Sequence, residues 1–151
     1  MPRIAVRLCY SSLLFTPSGQ FVQVKSGPIL SGSDDFTISA WIKPATHIQP
    51  SGGGAIYSER KLLSGNDRLS FFFSPSGNRS KLRFHIRDDA LTDNNVNSTV
   101  LVKNDGIWHH VGVVKDGTSL TFYIDGQAAG SNTLTVSNTL TEAVVSYVGN
   151  D

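Results

Sequence analysis

Residues 108–127 read WHHVGVVKDGTSLTFYIDGQ. Two runs of alternating apolar residues flank Asp116-Gly117, and Asp125-Gly126 closes the unit. Asp-Gly supplies the positive φ that tight hairpin turns need, so the stretch predicts strand, turn, strand, turn. Leu120, Phe122 and Ile124 fall on one face of the second strand, and Thr121, Tyr123 and Asp125 on the other.

Working outward, the chain keeps the same grammar. Leu13–Thr16 and Phe21–Lys25 flank the turn cluster Pro17-Ser18-Gly19. Phe36–Lys43 alternates, with Phe36, Ile38, Ala40 and Ile42 on one face and Thr37, Ser39, Trp41 and Lys43 on the other. Pro44 ends it by removing a ladder donor. Ala55–Ser58 is a short strand. Leu69–Ser74 and Lys81–Arg87 flank Pro75-Ser76-Gly77-Asn78. Thr99–Val102, Thr133–Val136 and Val144–Val148 complete the set. No ten-residue stretch carries helical spacing with caps. Short strands punctuated every 8–12 residues predict an all-β, two-sheet antiparallel sandwich of jelly-roll type. Trp41, Trp108, Phe36, Phe84 and Phe122 are the expected core.

Composition narrows the function. The chain has 151 residues, 39% of them apolar, including eight phenylalanines and two tryptophans. A chain of this size forms one domain over 1–151 and buries roughly 70% of its unfolded surface. The net charge of +1 lacks the basic footprint of a nucleic-acid binder. No apolar run approaches the ~18 residues of a membrane span. Arg7 interrupts the apolar start, which therefore makes a poor signal peptide. Cys9, the single cysteine, has no partner within the chain for a disulfide and is expected to be an inert thiol.

The hairpin also resembles a particular family. Its Trp-His-His-Val start, Lys-Asp-Gly turn and Phe-Tyr-Ile-Asp-Gly finish are similar to the signature hairpin of laminin-G-like, concanavalin-A-like jelly rolls. SLLFTPSGQFVQV resembles that family's opening. DDFTISAWIKP resembles the strand that follows, and AIYSER, LSFFF, LRFHI and VVSYVGND resemble the middle and late strands. The resemblance implies a glycan- or protein-binding scaffold, usually extracellular, in which the His109-His110 pair is structural. It also implies one further strand after the late glycine. RIAVRLCY, residues 3–10, alternates cleanly and resembles that missing strand, so residues 3–10 are expected to take its place.

Catalysis is not expected. Hydrolases on this scaffold set carboxylates at alternate strand positions so that they face one another. This chain has only Glu59 and Glu142 as glutamates, and neither has an acidic neighbour two residues away. Adjacent pairs such as Asp34-Asp35 and Asp88-Asp89 would point apart in a strand, so they read as turn residues. His109 and His110 likewise point apart and cannot readily share a ligand. No nucleophile elbow, phosphate loop or cysteine–histidine metal spacing occurs.

Binding of a carbohydrate or glycoconjugate, or of another protein, is the expected activity, on rim loops or on the concave face. The protein is expected as a monomer or homodimer, with no nucleic acid or membrane partner. Three regions are candidates. A loop over Ala45–Arg68 brings Arg60, Asn66, Asp67 and Arg68, planar polar groups suited to sugar hydroxyls. The stripe Lys81, Arg83, His85, Arg87 alternates with Leu82, Phe84 and Ile86, so all four share one face and suit a sulfated or carboxylated glycan. Asp88, Asp89 and Asp93, with Asn94 and Asn95, gather oxygen ligands of the kind calcium takes. The family's calcium position commonly uses an aspartate before the second strand, where this chain has Gln20.

Overall fold

The computed structural model describes residues 13–14, 20–24, 29–30, 32, 35–44, 54–61, 67–74, 81–88, 90–135 and 144–150, and for residues 61, 67, 68, 144 and 150 the backbone alone. The strand expected over 3–10 lies outside the described residues, as do Cys9, Asn66 and Asp89.

Among the described residues ten strands follow in order: β1 (Gln20–Val24), β2 (Phe36–Ile42), β3 (Ala55–Lys61), β4 (Asp67–Phe73), β5 (Lys81–Arg87), β6 (Asp93–Leu101), β7 (His109–Asp116), β8 (Ser119–Ile124), β9 (Gln127–Thr133) and β10 (Val144–Asn150). They build two antiparallel sheets, β1-β10-β3-β4-β5-β6 and β2-β7-β8-β9. Among the described residues no helix is long and apolar enough to cross a membrane. The protein is an all-β jelly-roll sandwich.

The decisive hairpin forms as its sequence requires. β7 and β8 pair from Val111↔Ile124 to Asp116↔Ser119, so the loop is Gly117-Thr118, one residue later than the Asp-Gly reading places it. The second turn is Asp125-Gly126, both with positive φ (49° and 79°), the backbone of a tight I′ hairpin. Asp35 Oδ1 accepts the Gly117 N–H at 2.7 Å and anchors the first turn to the start of β2.

Two strands are longer than or displaced from their expected limits. The expected strand Thr99–Val102 is the end of a longer one, Asp93–Leu101, whose first half the sequence reads as a ligand loop. Gln127–Thr133 is β9, while Leu134 and Thr135 of the expected strand Thr133–Val136 lie past its end. Both sequences are rich in Asn, Ser, Gly and Ala, which contribute little intrinsic strand preference. Pairing with β5 and β8 decides their state instead. Gly130, at φ 122°, lets β9 approach β6: a Cβ there would stand 2.9 Å from Thr99 N. Thr99 Oγ1 donates to Ala129 O at 3.0 Å across the same corner.

The core lies between the sheets. Leu69, Phe71, Leu82, Phe84 and Ile86 of the large sheet face Val111, Val113, Leu120 and Phe122 of the small one, all fully buried. Phe71 stacks on Phe122 with ring centroids 6.4 Å apart, and Phe36 meets Phe84 at 5.9 Å. The tryptophans are not core. Trp41 is 66% exposed and Trp108 46%. Trp41 belongs to the Thr37–Ser39 face of β2, opposite Phe36, and Trp108 precedes the first residue of β7.

Truncating Phe122 to Ala removes a fully buried ring, and the expected loss is roughly 3–5 kcal/mol in a denaturant titration. Trp41→Ala should cost under about 1 kcal/mol, as a surface change does. Equal losses for the two would show the faces to be misassigned.

Candidate functional site

The outward face of the large sheet gathers most of the candidate residues. On β5 exposure alternates without a break: Leu82, Phe84 and Ile86 are buried, while Lys81, Arg83, His85 and Arg87 are partly open on the other side. β6 lies against this stripe, with Arg83 opposite Asn97, His85 opposite Asn95 and Arg87 opposite Asp93. On the other flank Phe72 is opposite Arg83 and Ser70 opposite His85. Beyond them Ser58 pairs with Ser70, and Tyr147 pairs with Ser58.

Arg60 joins this face. It does not sit in a loop, because β3 runs on to Lys61 and β4 already begins at Asp67. Two residues on from Ser58, Arg60 shares its side of β3 and is half-buried. Asp67 and Arg68 open β4 at the same end of the sheet. The structure therefore brings Arg60, Arg83, His85 and Arg87 onto one sheet face.

The cations are not equally occupied. Arg87 grips Asp93 with both ends of its guanidinium, Nε to Oδ1 at 2.6 Å and Nη2 to Oδ2 at 2.7 Å. His85 Nε2 lies 2.8 Å from the same Oδ1. Arg87 first and His85 second hold the Asp93 carboxyl well below the usual carboxylate range. Arg83 has a neutral neighbour, donating from Nε to Asn97 Oδ1 at 2.8 Å. Positive potential is thus spent on Asp93 at one end of the stripe and kept toward Lys81 and Arg83 at the other. Between Tyr147 and His85, Ser58 and Ser70 are each 2% exposed, and among the described residues their hydroxyls meet no hydrogen-bond partner.

Of the three metal candidates, Asp88 and Asp93 are described, and each serves another partner. Asp93 stands in β6 and turns its oxygens to Arg87 and His85. Asp88 closes a turn, its Oδ1 accepting the Thr92 N–H at 2.8 Å. Among the described residues no group of three His, Cys, Asp or Glu side chains is placed to hold a metal ion.

Glu59 faces the interior. Its Oε1 accepts from the Tyr57 hydroxyl at 2.5 Å and from the Ile29 and Leu30 N–H groups at 2.9 and 2.8 Å. Burial, then the Glu59 contact, pushes the Tyr57 phenol well above its ordinary value. These contacts fasten the chain before β2 onto β3.

His109 and His110 do point apart. His109 is buried, with Nδ1 2.8 Å from Asp125 Oδ2 and Nε2 3.1 Å from Asp105 Oδ1. His110 faces outward beside Trp41, ring centroids 5.3 Å apart. Sequence reasoning missed Asn95, Asn97 and Phe72 as members of the basic face. The period-two spacing of Asp93, Asn95 and Asn97 was the available signal.

With this geometry in view, the likenesses to known proteins can be placed. A family model for the concanavalin A-like lectin/glucanases superfamily, of laminin-G type, matches residues 16–151. The chain belongs to this superfamily. No curated protein sequence matches it. Among solved structures, the binding domain of Paraclostridial Mosquitocidal Protein 1 superposes with a TM-score of 0.60 at 17% identity, over 87% of this chain and 33% of that one. Domains LG4-5 of the mouse laminin alpha1 chain give 0.59 at 17% identity, over 87% and 31%. The chain thus spans about a third of those two structures. The CBM40 module of a Ruminococcus gnavus IT-sialidase gives 0.60 at 13% identity, over 87% and 80%, and that module has also been solved bound to alpha2,3 sialyllactose. At these identities the likeness shows the fold.

The His109 site predicts a pH signature. The Asp125 contact, aided by Asp105, raises the imidazole above its ordinary value against the opposing effect of desolvation. Its contribution to stability is complete below about 6.5, the unfolded value, and is lost as pH rises through the raised folded value. His109 in turn lowers Asp125. Desolvation works to raise Asp105, but the Ile107 N–H and His109 outweigh it and leave it lowered. The carboxylates' share is therefore lost as pH falls below about 4. The Tm difference between wild type and His109→Gln should be largest near pH 5–6 and shrink on both sides. A difference that grew steadily above pH 7 would contradict the charged pairing.

Proposed function

We propose that this protein is a non-catalytic carbohydrate-binding module that takes an anionic glycan, sulfated or carboxylated, on the outward face of its six-stranded sheet. The carrying observation is the pleat of β5, which lines up Lys81, Arg83, His85 and Arg87 on one face while Arg83 has a neutral partner in Asn97. A guanidinium with donors to spare suits a sulfate or carboxylate in paired hydrogen bonds. Asn95 and the half-buried Phe72 ring add polar and flat apolar groups beside it. The sialyllactose bound by the R. gnavus module supports a carboxylated sugar as one occupant. The absence of catalysis is supported by Glu59, which points into the sandwich and is engaged by Tyr57, Ile29 and Leu30. Calcium through Asp88, Asp89 and Asp93 remains part of the proposal to be tested, with metal and with chelator.

Protein adhesion is the second reading. It is favoured by β1, the end of the large sheet among the described residues, where Phe21 and Val22 are 45% and 43% exposed. A sheet edge with exposed apolar side chains is a ready pairing surface.

A panel of sulfated, sialylated and neutral glycans, titrated by calorimetry at two salt concentrations, separates these readings. Binding of an anionic member should weaken steeply with salt. Arg83→Glu should weaken it about tenfold or more, the worth of one charged hydrogen bond, at unchanged Tm. Indifference to Arg83→Glu would remove the stripe from the site. Asp93→Asn should act in the opposite sense, tightening anionic binding by releasing Arg87 and His85. Looser binding in that variant would show that Asp93 serves the ligand directly.

A further inference from the structure

The opposite surface of the sandwich carries a different chemistry. Alternation along β2, β7 and β8 turns Thr37, Ser39, Trp41, His110, Gly112, Val114, Thr121 and Tyr123 outward. Their register sets Trp41 beside His110, and Ser39, Gly112 and Tyr123 in one row across three strands. Trp41 and Tyr123 flank β7 on either side, two strand spacings across and two residues along, about 12 Å apart.

Gly112 sits between them and its backbone does not need a glycine, since its φ is not positive. A Cβ there would stand 3.4 Å from Ile38 O, 3.7 Å from Ser39 Cβ and 4.0 Å from Tyr123 Cβ, so a small side chain nearly fits. Glycine weakens a strand interior and often marks a place where another group approaches closely. Gly112 is itself buried, with Ser39 and Tyr123 beside it and Trp41 and His110 one pair along the strands. Trp41 is 66% exposed, its ring tilted 55° to the His110 ring.

None of those eight outward residues is Lys, Arg, Asp or Glu. One charge, Asp116, shares the face at the far end of β7, while Lys43 and Asp125 lie past the strand ends and Asp125 is taken up by His109 and the His110 N–H. The exposed Trp41 ring and the Tyr123 ring, with the hydroxyls of Thr37, Ser39, Thr121 and Tyr123 about them, suit a flat ligand with an apolar face and a hydroxyl rim. We propose that the outward face of the four-stranded sheet is a second saccharide site, taking a neutral pyranose against Trp41. This rests on the reading of the protein as a glycan binder but uses none of the residues of the basic face.

The test titrates neutral oligosaccharides of glucose, galactose and mannose, at millimolar concentration, into the 15N-labelled protein and follows the two indole N–H signals. One series should shift the Trp41 indole saturably and leave that of Trp108 in place. Calorimetric binding of that sugar should vanish in Trp41→Ala, with the variant melting close to wild type. Binding should be insensitive to salt and to Arg83→Glu, so its failure and that of the basic face are told apart. No shift with any of the three series overturns the proposal, as does undiminished binding in Trp41→Ala. A concentration-dependent dimer that Trp41→Ala dissociates, without sugar binding, overturns it in favour of a second copy on this face.

Discussion

The two-residue pleat of β5 is the constraint from which core and surface both follow. Leu82, Phe84 and Ile86 are fully buried, and the four residues interleaved with them are basic. Slipping this strand by one residue would drive three cations into the sandwich and three apolar chains into water. The hydrophobic effect therefore fixes the register, and the register places the cations. The positive face needs no separate positioning device, because the same apolar residues that hold β5 in place aim Arg83 and His85 outward.

Polar groups inside the sandwich do a complementary task. Glu59 is fully buried, and an unpaired charge there would be costly. It is satisfied by Tyr57 and by the backbone of Ile29 and Leu30, and Ser146 of β10 stands 3.4 Å away. A side chain that could be mistaken for a catalytic acid thus fastens the chain between β1 and β2 onto the large sheet. Lys115 behaves similarly in the small sheet. It points inward, donates to Gly117 O at 2.7 Å and lies 5.9 Å from the Phe36 ring centroid.

Strands with strong apolar–polar contrast were legible in the sequence. β5 matches its expected limits, and β2, β7 and β8 match theirs to within a residue or two. β6 and β9 were legible only at their ends, because Asn, Ser, Gly and Ala carry no contrast and only their neighbours' edges make them strands. Trp41 shows a different failure. Its alternation already set it opposite Phe36, but bulk and apolarity suggested the core. The basic stripe was readable as a local pattern. The capture of Arg87 and His85 by Asp93 was not, since it depends on β6 pairing with β5 at that register. Arg60 reached the same face for a similar reason, through the length of β3.

The pairing of β1 with β10 has a temporal meaning. It joins Gln20 to Asn150, nearly the full reach of the chain, whereas β7, β8 and β9 join near neighbours through short turns. Closing a long loop is entropically slow, and local hairpins form early. During synthesis the β7–β9 meander can assemble while β1 still lacks its partner. Until residues 144–150 emerge, Phe21 and Val22 lie on an unsealed strand. A ribosome pausing shortly before that point would therefore hold the chain in its most association-prone state, with most of its strands made and its first still waiting.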